Sequence, residues 1–259
     1  DGVTYADKPY GGYWLVILSA KLLGGFSEAA GRLPGRLAYL ATLVVTYVLG
    51  CRTLGARVGA LAALLLAVSG RLLVLADTTS ADPQQLLGDT LAMLLLLGLA
   101  ESGRLRDFAL LGAVAGLTTQ MKGLPGLALP AFAALLWTLL VRGPRWLPVR
   151  GVALGVLIGL AVAGGPYLVA RGMHGDWGPL WMLWHESVVR AVDPFDHVLP
   201  WWFYLVNQFE LLLTWSALLP AALLQAGARL RPAAGDGRAW WVRLRESEPL
   251  RRAAFPLFA

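Results

Sequence analysis

Seven charged residues, Asp7, Lys8, Asp77, Asp82, Lys122, Glu186 and Arg190, stand at or just beyond the ends of long apolar runs. Charge beside a membrane is costly, and it is usually functional where it faces the protein interior. Lys8 precedes Pro9, whose ring fixes the turn, so its ammonium is a rigidly placed point charge of the kind that binds phosphate. The competing role for Lys8 is a stem lying on apolar surface with its ammonium among the headgroups. Asp7 beside it is suited to orienting Lys8, to binding a divalent cation as a hard oxygen ligand, or simply to solvation. Glu186 and Arg190 are four apart, so a helix would put them on one face, where they pair or where the arginine fork meets phosphate oxygens. An exposed ion pair is the plainer alternative, and it is worth little. Asp82 precedes Pro83 at the start of an apolar run, the pattern of an N-cap followed by proline at the first helical position. Lys122 precedes Gly123 at a helix break and either meets phosphate or snorkels; Asp77 reads as a solvated loop residue.

Other residue types carry no chemistry here. His174, His185 and His197 lack metal-ligand spacing, and Cys51 is the one cysteine, without a disulfide or metal partner. No metal site is assigned beyond the open question at Asp7, and no cofactor beyond a divalent cation there. Phosphate-cradling glycine motifs and nucleotide-sugar Asp-x-Asp signatures are absent, which suits a lipid-linked rather than nucleotide-linked donor.

The elements that must position these charges are membrane helices. Of 259 residues 57% are hydrophobic and 15% charged, against about 45–50% apolar and about 25% charged in soluble domains. Apolar runs predict spans at 33–50, 58–76, 84–100, 124–141, 151–170 and 201–226, with a short or tilted crossing at 108–121. The stretch 10–23 is too short to span and reads as a helix lying on the outer face, with Tyr13 and Trp14 at headgroup level. The arginines at 51–57, 101–107, 142–150 and 227–252 then share one side, which the positive-inside rule makes cytoplasmic. The net charge of +6 is thereby a topology signal rather than a nucleic-acid footprint. All seven charges fall on the opposite face. Trp177, Trp181, Trp184, Trp201, Trp202, Phe203 and Tyr204 form a belt at that boundary, where some could also line a sugar or isoprenoid groove. Two charges lie deeper: Arg71 and Asp89 flank the 77–83 connection almost symmetrically, and equal helix rise predicts a pair at similar depth, the alternative being that Arg71 reaches up into the outer cavity and binds phosphate.

The order of motifs resembles the lipid-dependent GT-C glycosyltransferases, in the branch of the protein O-mannosyltransferases and the aminoarabinose transferases of lipid A. The matching residues are Tyr5-Ala6-Asp7-Lys8-Pro9 with Gly12-Tyr13-Trp14-Leu15, Arg32-Leu33-Pro34, Asp82-Pro83, Met121-Lys122-Gly123, Glu186 with Arg190, and Pro200-Trp201-Trp202-Phe203-Tyr204. The resemblance implies an all-α polytopic transmembrane bundle of GT-C type with an interfacial outer-face helix. It implies sugar transfer from a polyprenyl phosphate to a lipid or protein acceptor at the outer face of the cell membrane. By the same resemblance Lys8, Arg190 and Lys122 bind the donor phosphate, Asp82 is catalytic, and Tyr5, Asp7 and Glu186 support them. The family's principal carboxylate precedes the Asp-Lys-Pro motif, so it is expected upstream of residue 1, and the chain is expected to be a fragment. The expected organisation is an outer loop and interfacial helix at 1–32, membrane helices at 33–226 with an outer loop at 171–200, and a cytoplasmic loop at 227–254. A protein O-mannosyltransferase is the second enzyme expectation. A polyprenyl-lipid transporter or flippase is the alternative of another class, disfavoured because the charges gather at one interface rather than at the midplane.

Overall fold

The computed structural model describes residues 9–143 and 146–175 and scattered positions from 177 to 255, among them 184–189. Among the described residues, eight α-helices follow in order: α1 (Tyr10–Leu22), α2 (Glu28–Thr53), α3 (Ala56–Ala67), α4 (Gly70–Ala76), α5 (Asp82–Ser102), α6 (Leu105–Lys122), α7 (Pro125–Trp137) and α8 (Val149–His174). No strand occurs among the described residues. A π-helical turn, Thr138–Arg142, extends α7.

Among the described residues, four helical stretches are long and apolar enough to cross a membrane: Glu28–Thr53, Asp82–Ser102, Pro125–Arg142 and Val149–Met173. The predicted crossing at 58–76 is a broken one, α3 and α4 meeting at 65°. The protein is thus a multi-pass membrane protein. The predicted span at 201–226 falls almost wholly outside the described residues. At 13 residues, α1 is about 20 Å long, too short for about 30 Å of hydrocarbon. The side chains of Tyr13, Trp14, Ile17 and Leu18 are left exposed on it.

Contacts between successive helices show that the crossings alternate in direction. Arg36 near the start of α2 meets Asp77 beyond the end of α4, while Arg52 at the other end of α2 pairs with Glu101 near the end of α5. Asp82 and Lys122 join the start of α5 to the end of α6. One end of the bundle therefore gathers α1 and residues 77–82 and 122–125, and is called the site end below. The other end gathers Arg52, Arg57, Arg104, Arg106, Arg142 and Arg150.

Glycines set the tightest crossing. A Cβ on Gly112 would lie 2.1 Å from the Gly155 carbonyl oxygen, and one on Gly116 2.6 Å from the Gly159 oxygen. Gly155 and Gly159 on α8 thus face Gly112 and Gly116 on α6, the small-xxx-small pattern by which membrane helices bring their backbones close, while Gly151 takes the Phe108 ring. The main apolar core lies toward the arginine-rich end, where Met93, Leu96, Leu97 and Leu99 pack with Phe108, Trp137 and Val141. This firm lower half leaves the site end to be organised by polar contacts.

Candidate functional site

Asp82 is the first residue of α5, with Ala81 at the cap position and Pro83 following. Its carboxylate does not cap the helix backbone, as the sequence suggested. The Ser80 hydroxyl instead donates to Asp82 Oδ2 at 2.5 Å and accepts from the Asp82 backbone N–H at 3.2 Å. Asp82 Oδ1 accepts from Lys122 Nζ in an ion pair. Lys122 is the last residue of α6, which Gly123 terminates with φ 100° and an N–H donated to the Thr119 carbonyl at 2.8 Å. A negative charge at a helix start and a positive charge at a helix end each suit the macrodipole. Helix polarity, a glycine stop and a serine turn thus hold the pair at the site end. The Lys122 ammonium, with its side chain 54% exposed, pairs with Asp82 and keeps further donors for other partners.

Asp77 departs from its expected role as a solvated loop residue. Its Oδ1 accepts from Arg36 Nε at 2.9 Å and its Oδ2 from Arg32 Nη1 at 3.4 Å, while Arg32 Nη2 reaches Glu28 Oε2 at 3.1 Å. The Arg36 hydrogen bond holds the Asp77 carboxyl below the usual carboxylate range against a partial desolvation, and the charges of Arg36 and Arg32 add to the effect. The Ser27 hydroxyl, accepting from Ala30 N at 3.2 Å, caps α2 just before these arginines. This cluster ties α2 to the end of α4 and is saturated.

The predicted Arg71–Asp89 pair does not form. Asp89 Oδ2 accepts from Gln85 Nε2 at 2.8 Å, and its Oδ1 is buried without a partner. The bend between α3 and α4 defeats the equal-depth argument, which assumed two straight neighbours.

Other polar groups gather nearby without having been foreseen. Gln120 donates from Nε2 to the carbonyl oxygens of Val162 and Ala163 on α8. The ring of Tyr167, fully buried, lies 5.0 Å from that of Tyr10, and burial raises the Tyr10 hydroxyl pKa. Gly11 packs on the Gln120 carbonyl, where a Cβ would come within 2.6 Å. These contacts seat the start of α1 on the α6–α8 crossing. Beside them an apolar groove of about 420 Å³ opens between α2, α5 and α6, walled by Leu37, Leu87, Leu91 and Leu117, with Leu15 of α1 and Met121 toward the site end. Further along the chain the Arg171 guanidinium lies 3.7 Å from the centre of the Trp177 ring, and Trp181 stacks on His185 at 4.6 Å.

Of the predicted site residues, the structure brings Asp82 and Lys122 together. Tyr5, Asp7, Lys8 and Arg190 lie outside the described residues, as does the Glu186 side chain. The backbone at His185–Val189 is π-helical rather than α-helical. Among the described residues no three His, Cys, Asp or Glu side chains converge as metal ligands.

The sequence profile of the dolichyl-phosphate-mannose-protein mannosyltransferase family matches residues 7–166. The chain belongs to this family. Among curated proteins it is similar to undecaprenyl phosphate-alpha-4-amino-4-deoxy-L-arabinose arabinosyl transferase 1 of Pseudomonas fluorescens strain Pf0-1, with 30% identity over 94% of this chain and 43% of that protein. It is similar to the corresponding transferase of Pseudomonas aeruginosa PAO1 at 31% identity, over 94% of this chain and 45% of that protein. The chain thus spans less than half the length of these relatives. Among solved structures, ArnT from Cupriavidus metallidurans bound to undecaprenyl phosphate superposes with a TM-score of 0.74 at 21% identity, over 99% of this chain and 49% of that one. The apo form of the same protein gives 0.69 at 20% identity. The GT-C fold expectation holds.

Proposed function

We infer that this family member takes part in transferring a sugar from a polyprenyl phosphate to a glycolipid acceptor at the extracytoplasmic face of the cell membrane. One observation carries this function. An Asp82–Lys122 pair stands at the opposite bundle end from the basic connections, in a chain whose curated relatives are named as undecaprenyl-phosphate-linked sugar transferases. In the reaction, an acceptor oxygen attacks the anomeric carbon, the bond from that carbon to the phosphate oxygen breaks, and the polyprenyl phosphate leaves as an anion. Lys8, Arg190 and Lys122 would neutralise charge on that phosphate, with an effect that grows as the charge develops. Asp82 would organise the acceptor side of the cavity, with Tyr5, Asp7 and Glu186 in support. The principal base, where the acceptor is a hydroxyl, would be a carboxylate from outside this chain; a phosphate acceptor needs little such help. The nearby apolar groove suits a lipid tail, since pockets for such ligands are mostly apolar.

The family profile's description favours a second reading, mannosyl transfer to protein hydroxyls. The experiment that separates the two follows labelled sugar from polyprenyl phosphate into either lipid or peptide, with the intact protein in vesicles. Transfer to lipid supports the first function, transfer to peptide the second, and translocation of lipid without transfer refutes both. Lys8→Ala and Arg190→Ala should each lower transfer about tenfold to a hundredfold, as loss of a charge-assisted contact would. The membrane orientation is checked by cysteine labelling in a Cys51→Ser background. Leu54→Cys and Leu147→Cys should react only from the cytoplasm and Thr78→Cys only from outside, and the reverse pattern would sink the extracytoplasmic site.

A further inference from the structure

The glycine crossing of α6 and α8 ends in a glutamine. Gly112 faces Gly155 and Gly116 faces Gly159, and the next rung keeps the same offset of 43 residues between two helices that run the same way. On that rung Gln120 Nε2 donates to the Ala163 carbonyl and reaches the Val162 carbonyl at 3.4 Å. Both partners are acceptors, so only the amide NH2 can serve them, and Gln120 Oε1 is left buried without a partner. An orphaned amide oxygen is costly, and a glutamine that keeps one is held for its donor end.

Pro166 is the reason a donor is needed. It lies inside α8 and has no N–H, so the Val162 carbonyl one turn earlier loses its helical donor. Gly164 and Gly165 just before it have open space where side chains would stand. The offset of 43 puts Lys122, the last residue of α6, level with Gly165. At one level, therefore, α8 loses both its α6 neighbour and a backbone bond, and from there it runs on for about 13 Å to His174.

Three helices meet at Gln120. Its side chain holds the break in α8, and its backbone carbonyl lies under Gly11 of α1, where a Cβ would come within 2.6 Å. It precedes Lys122 by two residues on the last turn of α6. Tyr167, next to Pro166, adds its ring against Tyr10 at the start of α1. The last turn of α6 cannot rotate or slide without releasing the α8 carbonyls and the seat of α1. The Lys122 side chain is largely exposed, so the place of its ammonium is set by the turn that carries it. We propose that Gln120 is a positioning residue: its amide replaces the backbone donor that Pro166 lacks, and by clamping the break in α8 it fixes the turn of α6 that presents Lys122 to Asp82. The effect of this clamp on turnover rests on the transfer function proposed above.

The test uses the intact protein in lipid nanodiscs, in a Cys51→Ser background. Gln120→Met keeps the length of the side chain and removes the donor, Pro166→Ala returns an N–H to α8, and the double variant completes a cycle. Spin labels at Val44→Cys on α2 and Met173→Cys near the end of α8, both exposed positions, report the distance distribution between the bundle and the outer turns of α8. Gln120→Met should broaden that distribution. It should also lower kcat per folded enzyme about tenfold to a hundredfold, with KM held within about twofold, as displacement of a reacting group does. In the Pro166→Ala background the same replacement should leave the distribution unbroadened and cost kcat less than about threefold. A glutamine with a structural role alone would lower the folded fraction and leave kcat per folded enzyme unchanged. Gln120→Asn, a methylene shorter with its donor kept, should fall between wild type and methionine, and it decides the matter if Gln120→Met does not fold. An unbroadened distribution in Gln120→Met, or equal losses in the two backgrounds, would overturn the clamp. Broadening with kcat within about twofold of wild type would overturn the positioning role. A wild type that transfers no sugar, while the labels still show broadening relieved by Pro166→Ala, supports the clamp and refutes the transfer function instead.

Discussion

Replacing Lys122 by methionine removes its charge but keeps a stem of similar length, which separates two contributions of the Asp82 pair. Charges about 4 Å apart attract by about 1 kcal/mol in water and about 4 kcal/mol at an effective dielectric near 20. The Lys122 side chain is 54% exposed and that of Asp82 34%, so solvent screening and side-chain entropy bring the net stabilisation toward the exposed-pair range of about 0.2–1 kcal/mol. Asp82 retains its Ser80 hydrogen bond in the variant, so it is not left bare. Lys122→Met should therefore lower stability by no more than about 1 kcal/mol. A contact to phosphate that strengthens in the transition state is worth more, about 1.5–3 kcal/mol, and its loss should cut kcat/KM about tenfold to a hundredfold. The assay compares initial rates of sugar transfer in vesicles with melting of the same preparations in detergent. Lys122→Arg keeps an ion-pairing cation and should melt like the wild type. A rate within about twofold of wild type in Lys122→Met, or a loss no larger than the loss of folded protein, would refute a phosphate role for Lys122.

Gly112→Leu should separate α6 from α8, because even a Cβ there would sit 2.1 Å from the Gly155 oxygen; a loss above about 3 kcal/mol or failure to fold is expected, and a melting temperature near wild type would mean that the crossing is looser than described. Asp89→Asn should be tolerated within about 1 kcal/mol, since the amide keeps an acceptor for Gln85 and no cation pairs with Asp89 among the described residues, whereas a large loss of thermal stability would point to a charge requirement. Asp77 has a depressed folded pKa, so its contribution is present above its unfolded value of about 3.9 and fades as pH falls through the lower folded value. The stability gap between wild type and Asp77→Asn should accordingly be steady from about pH 7 to 5 and close in stronger acid, and a gap that widens there would reverse the assignment.

What the sequence made legible was hydropathy and its interruptions. Continuous apolar runs marked α2, α5, α7 and α8 because the bilayer sets a minimum length for each. Lys21 and the brevity of the run before Gly24 marked α1 as non-spanning for the same reason. Asp82 and Lys122 were found by type and position, yet their mutual contact was not, because nothing in the spacing of 82 and 122 shows that α5 and α6 are neighbours at that end. Asp77 was misjudged because its partners Arg32 and Arg36 lie a whole span earlier in the chain. The α6–α8 crossing could have been predicted: glycines four apart at 112 and 116, and at 151, 155 and 159, are a signal that helix backbones approach closely. The 65° break was hidden, since Val68-Ser69-Gly70 continues the apolar run without a proline.

That break separates two kinds of charge at the site end. The Asp77 cluster has two arginines on one carboxylate and a further glutamate on one of them, so its charges balance within the fold. It is placed to hold the end of α4 against α2, the task of a structural tie. The Asp82 cluster has a single carboxylate paired with Lys122, and the positive charge of Arg71 on α4 has no ion-pair partner among the described residues. A fold can keep such an excess only where water or headgroups screen it, or where an anion completes it. Had α4 continued straight from α3, Arg71 would lie near the depth of Asp89, where a partner would be needed for stability alone. Bent by 65°, α4 descends less per residue, so Arg71 stays nearer the level of Asp77, where water and headgroups screen its charge, than that of Asp89.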